Sequence, residues 1–404
     1  MYRLYRLLGT AALAIGCCPT ATAQEPPEPQ PPSIACAEPV ALGAAAADRA
    51  AWDKATRRSR ALRATHAHAT GYGVKVAVVD TGVAAHPRLH MSPHADMVSP
   101  DHPRADIDCD SHGTVVAGII GMRADPDQDE LVGIAPDAEI LSVRQTSAHY
   151  RSPQHETAGN LANLAEAIHA ALDAEAAVIN VSVVSCVSPA DAATLNTRDL
   201  VAAVQRAEEN GVVIVAAAGN TSENCSPGDV VYPAHLPTVI SVSAVDRPAR
   251  GLADYALPAS DSTGLRLSAD GDVPVALSST GSGLATGVYA DNQQLRQYLG
   301  TSFAAPVVSG TVALMLQQQP HTSPAEIRQR LAAAADPARG SFDIHHALTH
   351  LETTTLPDET QRSITVTTAE ADPTRGRVAM MAGLALAVIA VRAIIRGWRA
   401  GPST

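Results

Sequence analysis

The sequence predicts an α/β fold, a doubly wound and mainly parallel sheet with helices on both faces, followed by a single C-terminal transmembrane helix. Short apolar, largely β-branched runs recur at residues 74–79, 140–144, 177–182, 212–217 and 239–244. Alanine-rich helical stretches lie between them, at about 159–173 and 192–209. Strands that alternate with helices imply parallel pairing through right-handed crossovers. Near-continuous apolar runs are what strands covered on both faces require. The third observation is a late apolar segment at 378–395, close to the roughly 20 residues that cross a hydrocarbon core.

Taken in order, the chain opens on Arg3 and Arg6, an apolar run to about Cys18, and Ala21-Thr22-Ala23. This reads as a secretory signal peptide, residues 1–23, cleaved before Gln24. Lipid attachment at Cys17 or Cys18 is the alternative, but Ala14 stands where such a signal prefers Leu. Residues 24–50 form a proline-rich extension, polyproline-like around 25–32 and without a core of its own. The main folded unit is expected over 51–350. Its first strand, 74–79, ends in Asp80-Thr81-Gly82, and ligands collect at that end of an open α/β sheet.

His86, His90 and His94 follow, but Pro87 and Pro93 break any helix that would align them, so a solvated loop is expected and no metal site. His112-Gly-Thr-Val-Val-Ala-Gly opens a helix of small apolar residues. The acidic run 125–130 reads as a solvated loop rather than a calcium cage. The strand 212–217 leads into Gly219-Asn220, which alone would be an ordinary left-handed turn. Ser302 opens a buried helix to about residue 318, with Pro306 expected within its first turn or so. Ser323-Pro324-Ala325-Glu326 is a capping box that starts the last helix of the unit. Residues 351–377 read as a linker, 378–397 as the membrane helix and 398–404 as a cytoplasmic tail. Arg392, Arg396 and Arg399 place that end inside, although Arg375 and Arg377 blur the count.

Asp80, His112 and Ser302 together supply a carboxylate, an imidazole and a hydroxyl, the parts of a serine-nucleophile triad. A serine hydroxyl attacks only when a base takes its proton, and a buried carboxylate fixes the tautomer of that base. Each fragment alone has a plain structural reading: a strand end, a helix start, an N-cap. Their joint occurrence, in the order Asp, His, Ser, is neither the chymotrypsin order nor that of the α/β-hydrolases.

With Ala-Ala-Gly219-Asn220 added, residues 71–348 resemble the subtilisin-like serine proteases (subtilases, peptidase family S8). The resemblance implies a subtilisin-like fold, endopeptidase activity without a cofactor, and an oxyanion role for the Asn220 amide. One departure stands out. Where the family carries Ser-Leu-Gly-Gly along the substrate edge, this chain has Ser182-Val183-Val184-Ser185. Its backbone can still pair with an extended peptide, but the glycines that open the primary pocket are missing and a narrower cleft is expected.

Four cysteines lie outside the signal: Cys36, Cys109, Cys186 and Cys225. An even count in an exported chain suggests two disulfides, and three pairings are open. Cys186 and Cys225 follow two sheet strands at similar positions, which would leave Cys36 for Cys109. Signal peptide, short extension without room for a folded prodomain, four cysteines and membrane anchor together resemble the mycosins, the membrane-anchored proteases of type VII (ESX) secretion systems. That resemblance implies exported protein or peptide substrates and partners in the secretion membrane complex. A mainly structural, complex-stabilising subunit and a tethered scavenging protease remain the alternatives. A net charge of −12 argues against nucleic acid as a partner.

Overall fold

The computed structural model describes residues 36–43, 45–149, 159–246, 251–258, 262–289 and 294–349. The signal peptide, residues 24–35 of the extension, the linker, the membrane helix and the tail lie outside them. Among the described residues no helix is long and apolar enough to cross a membrane.

In chain order, β1 (Pro39–Ala41) and α1 (Ala46–His66) precede β2 (Lys75–Asp80), β3 (Met91–Asp96), α2 (His112–Gly121) and β4 (Glu139–Arg144). Next come α3 (Leu161–Asp173), β5 (Val178–Val181), β6 (Ser185–Val187), α4 (Pro189–Ala192) and α5 (Arg198–Glu209). Then β7 (Val213–Ala217), β8 (Val230–Tyr232), β9 (Ile240–Asp246), β10 (Gly251–Leu252) and β11 (Arg266–Asp270) follow. After β12 (Asp272–Val273), β13 (Ala276–Leu277) and β14 (Leu284–Tyr289), the chain closes on α6 (Thr301–Gln318), α7 (Pro324–Ala334) and α8 (Ile344–Thr349).

The main sheet has the order β10-β9-β7-β5-β2-β4-β3, with β11 also paired to β9. Every pair in it is parallel except β10 with β9. Alternate residues of each strand feed two separate cores. Val76, Val78, Val178, Val213 and Val215 face α2 and α6, whereas Ala77, Val79, Ile179, Ile214 and Ala216 face α3 and α5. Period-two alternation between two apolar layers is why these strands read as unbroken apolar runs. From β2 the chain goes to β3 and β4 on one side and then crosses to β5 on the other, so the strand order reverses at β2, which ends in Asp80. Such a switch point opens a crevice at the carboxyl ends of the strands.

Several expectations are revised. Helix α1 was not anticipated, and it crosses the boundary set at residue 50. Its apolar stripe is thin, with Ala55, Ser59 and Leu62 buried among Arg57, Arg58, Arg60 and Arg63. The stretch 192–209 is broken into α4 and α5, where the Asn196 side chain accepts from the Arg198 N–H at 3.3 Å. Such side-chain bonds compete with the helix ladder. The acidic run is not simply solvated: Asp129 forms a buried ion pair with Arg88, and Glu130 binds Arg60 and Arg63 of α1. The histidine stretch is strand β3 at its end rather than a loop throughout. His86 is buried with both ring nitrogens hydrogen-bonded, while His90 and His94 are exposed. The Ser323–Glu326 capping box is present.

Disulfides join Cys36 to Cys109 and Cys186 to Cys225. The first places residues 36–43 along the domain, where β1 pairs antiparallel with β14.

Candidate active site

Asp80 is the last residue of β2, Ser182 follows β5 directly, and Asn220 lies three residues beyond β7. The strand order β7-β5-β2 therefore sets Asn220, Ser182 and Asp80 side by side at one edge of the sheet. Two helices bring their first turns to the same edge, α2 with His112 and α6 with Ser302.

The turn after β2 fits only because side chains are absent at two positions. A Cβ on Gly82 would stand 2.1 Å from the Ile107 carbonyl oxygen, and one on Gly113 would stand 2.0 Å from that of Gly82. Asp80-Thr-Gly and His112-Gly are thus one packed unit, which fixes imidazole against carboxylate. His112 Nδ1 lies 2.7 Å from Asp80 Oδ1, with Asp80 fully buried and the His112 side chain 27% exposed. Asp80 Oδ1 also accepts from the Thr81 N–H at 2.8 Å. The Thr81 hydroxyl donates to Asp108 Oδ1 at 2.8 Å and accepts from the Gly113 N–H at 3.0 Å.

These groups carry a dense negative field. Burial by itself lowers the His112 pKa, but the Asp80 charge and hydrogen bond, with the charges of Asp108 and Asp110, raise it above the ordinary imidazole value. Burial pushes the Asp108 carboxyl up to about 6 against hydrogen bonds from Thr114 and Thr81, and the charge of Asp80 adds to the rise. An imidazole whose Nδ1–H is bound to a buried carboxylate has Nε2 left as its basic nitrogen.

On the other side, Ser302 is the second residue of α6, and its Oγ donates to the Ser182 carbonyl oxygen at 3.0 Å. The Thr301 N–H donates to Asn220 Oδ1 at 2.9 Å, and the Gly219 N–H donates to Thr301 Oγ1 at 3.2 Å. With its oxygen held, the Asn220 amide keeps Nδ2 as a donor, and that nitrogen is 3.2 Å from where a Cβ on Gly300 would stand. A free amide donor beside a serine at a helix N-terminus is suited to binding a developing oxyanion.

Ser182, Val183 and Val184 continue from β5 into β6, which pairs antiparallel with β8 and sets Cys186 opposite Val231. Val184 packs against both cores. A Cβ on Gly219 would meet Leu257 Cδ1 at 3.1 Å and Val231 Cγ2 at 3.4 Å, so both side chains close on the backbone before Asn220.

The Peptidase_S8 model, described as the subtilase family, matches residues 71–372. The chain belongs to the subtilase family. Mycosin-1 of Mycobacterium tuberculosis is 33% identical over 354 residues, covering 79% of this subtilase and 75% of that relative. Mycosin-4 of the same organism is 35% identical, over 68% of this chain and 62% of its own length. A chain in the solved structure of an intact ESX-5 inner membrane complex superposes with a TM-score of 0.67 at 28% identity, covering 90% of this chain and 94% of that one.

The structure sets Asp80, His112, Ser302, Asn220 and Ser182 at one end of the sheet in two hydrogen-bonded groups, Asp80 with His112 and Ser182 with Ser302, the latter flanked by Asn220 on the Thr301 N–H. It also adds residues that the motifs did not single out. Phe303 packs on the imidazole, ring centroids 5.0 Å apart, and Tyr298 meets Phe303 edge-on at 6.0 Å. Thr81, Asp108 and Thr301 each sit within four residues of a motif residue, which was the available signal. Among the described residues, the group with metal-ligand proximity is Cys186, Cys225 and Asp229, and its cysteines are joined as a disulfide.

Proposed function

We propose that this subtilase is a membrane-anchored serine endopeptidase that acts outside the cytoplasm on proteins exported by a type VII secretion system. The observation that carries the chemistry is the 2.7 Å contact of His112 Nδ1 with buried Asp80, across a crevice from Ser302 at the start of α6. Ser302 is the nucleophile in this reading. Its hydroxyl turns from the Ser182 carbonyl to His112, which takes the proton as Oγ attacks the scissile carbonyl and later returns it to the leaving amine. Asp80 holds the tautomer and stabilises the imidazolium, while Asn220 Nδ2 and the Ser302 N–H bind the oxyanion. No metal or other cofactor takes part. Ser182, Val183 and Val184 form the edge on which an extended substrate pairs, and the missing glycines of that edge favour a narrow cleft.

Assignment to secretion rests on the mycosin relatives and on the neighbour from an ESX-5 inner membrane complex. Export by residues 1–23 and anchoring by 378–397 would set the catalytic unit on the outer face beside such a complex. The likeness to a chain within an assembled complex also favours a second role, stabilisation of that assembly.

The test compares wild type with Ser302→Ala in the native membrane. Labelling by a fluorophosphonate and cleavage of co-exported proteins should both vanish in the variant. Undiminished labelling would overturn the nucleophile assignment. Loss of the membrane complex on deleting the gene, but not in Ser302→Ala, would establish the structural role beside the catalytic one.

A further inference from the structure

We infer that the Ser182 side chain is a positioning residue for Ser302, doing through a strand what the helix cannot do for itself. The inference rests on the endopeptidase reading above. Each N–H of an α-helix donates to the carbonyl four residues earlier. Position 306 of α6 is a proline, which lies in the second turn rather than the first. It has no N–H, so the Ser302 carbonyl loses its helical donor, and the proline ring crowds that same oxygen. The orphaned carbonyl is in the backbone of the proposed nucleophile, where a shift of the first turn moves Oγ and the oxyanion N–H together.

The missing donor comes from β5. Ser182 Oγ donates to the Ser302 carbonyl oxygen at 2.7 Å. Behind it runs a chain of bonds with one consistent polarity. Ser309 Oγ donates to Asn180 Oδ1 at 2.8 Å, and Asn180 Nδ2 donates to Ser182 Oγ at 2.8 Å. Asn180 and Ser309 are fully buried and Ser182 is 3% exposed. The chain begins and ends on α6 and crosses β5 between, clamping one and a half turns or more of helix to the strand that separates Asp80 from Asn220. Bonds linked in this way polarise one another, and the two behind Ser182 are buried from water. Ser182 thus engages Ser302 twice, by its hydroxyl on the Ser302 carbonyl and by its own carbonyl on the Ser302 hydroxyl.

Proline at 306 supplies an internal control. Pro306→Ala restores an N–H four residues beyond Ser302, so the helix can satisfy its own carbonyl. In the native sequence, Ser182→Ala should lower kcat on a peptide about 10- to 100-fold with KM nearly unchanged, the cost of a displaced reacting atom. In the Pro306→Ala background the same change should cost little. Ser309→Ala, a small buried substitution that keeps the fold accessible if Ser182→Ala does not, should lower kcat several-fold.

Thermal melting separates position from stability, because a merely structural role would lower the melting temperature and leave kcat of the folded enzyme intact. An equal loss of kcat in both backgrounds, or none in either, overturns the inference while leaving the protease reading in place. Wild-type protein that neither hydrolyses peptides nor takes a fluorophosphonate at Ser302 overturns both.

Discussion

The Asp80–His112 side of the crevice is built from charge, whereas the Ser302–Asn220 side is built from neutral amides and hydroxyls. Asp80, Asp108 and Asp110 surround one imidazole, and their combined field outweighs the burial that would otherwise keep it neutral. Around Ser302 the partners are neutral and fall into two runs of directed hydrogen bonds, Ser309 to Asn180 to Ser182 to the Ser302 carbonyl, and Thr301 to Asn220. The difference fits what each side does in the proposed mechanism. A base is tuned through its pKa, for which fixed charge is the effective lever. A nucleophile and an oxyanion site depend on placement, and fixed dipoles stabilise charge as it develops without repelling it or binding it beforehand.

Breaking the charged side should have the largest effect. Asp80→Asn keeps the shape but lets the imidazole adopt the wrong tautomer, and kcat on a peptide should fall by about 10⁴-fold with KM little changed. A loss below tenfold would mean that His112 does not depend on this carboxylate. On the neutral side, Asn220→Ala removes one donor to the oxyanion and should lower kcat by about 10²–10³-fold, again with KM held. A change confined to KM would assign Asn220 to ground-state binding instead.

The disulfides divide along the same line. Cys109 lies between Asp108 and Asp110, so its bridge to Cys36 closes on the charged side, while Cys186–Cys225 borders the proposed substrate edge. Replacing Cys36 and Cys109 together with Ala frees a loop of 73 residues in the unfolded chain. The loss should be roughly 2–4 kcal/mol of stability, read as a lower melting temperature. Because the Ser302 clamp runs through β5 and α6, fluorophosphonate labelling of the variant should persist below that temperature. Labelling lost in the folded variant would show that the extension organises the neutral side too.

What the sequence made legible follows the same division. Motif residues at strand ends and helix starts could be read because each carries its own local signature: a buried run ending in Asp-Thr-Gly, a small-residue helix after His112, a strand ending in Gly-Asn. Helix α1 could not, because its buried stripe is only Ala, Ser and Leu, and the partners of Arg58, Arg60 and Arg63, Asp270 and Glu130, are distant in sequence. Asp129 was hidden for the same reason, since Arg88 is 41 residues away in sequence. The Ser182–Ser302 exchange was equally out of reach. A serine after a strand and a proline in a helix are each unremarkable until the fold brings them to one carbonyl.

The smallest effect expected is the one that isolates the charged side most cleanly. Asp110 is half-buried, accepts from the Ala148 N–H at 2.7 Å and from Ser147, and contributes the least of the charges that raise the His112 pKa. Asp110→Asn keeps an oxygen for the Ala148 N–H, removes the charge, and turns an NH2 toward Ser147 Oγ, which accepts from it after its hydroxyl rotates. His112 must be neutral to act as base, so kcat/KM rises with pH as the imidazolium loses its proton, with a midpoint above the ordinary imidazole value. A nearby carboxylate favours the cation, and taking one away lowers the pKa. The acid limb of Asp110→Asn should therefore move to lower pH, and the variant should retain more of its maximal activity in mild acid. Asp108, with a pKa of about 6, titrates in the same range, so the limb in both proteins should be broader than a single ionisation. A limb displaced to higher pH would contradict charge control of the base. An unmoved limb would confine that control to Asp80 and Asp108, the two carboxylates that share the Thr81 hydroxyl.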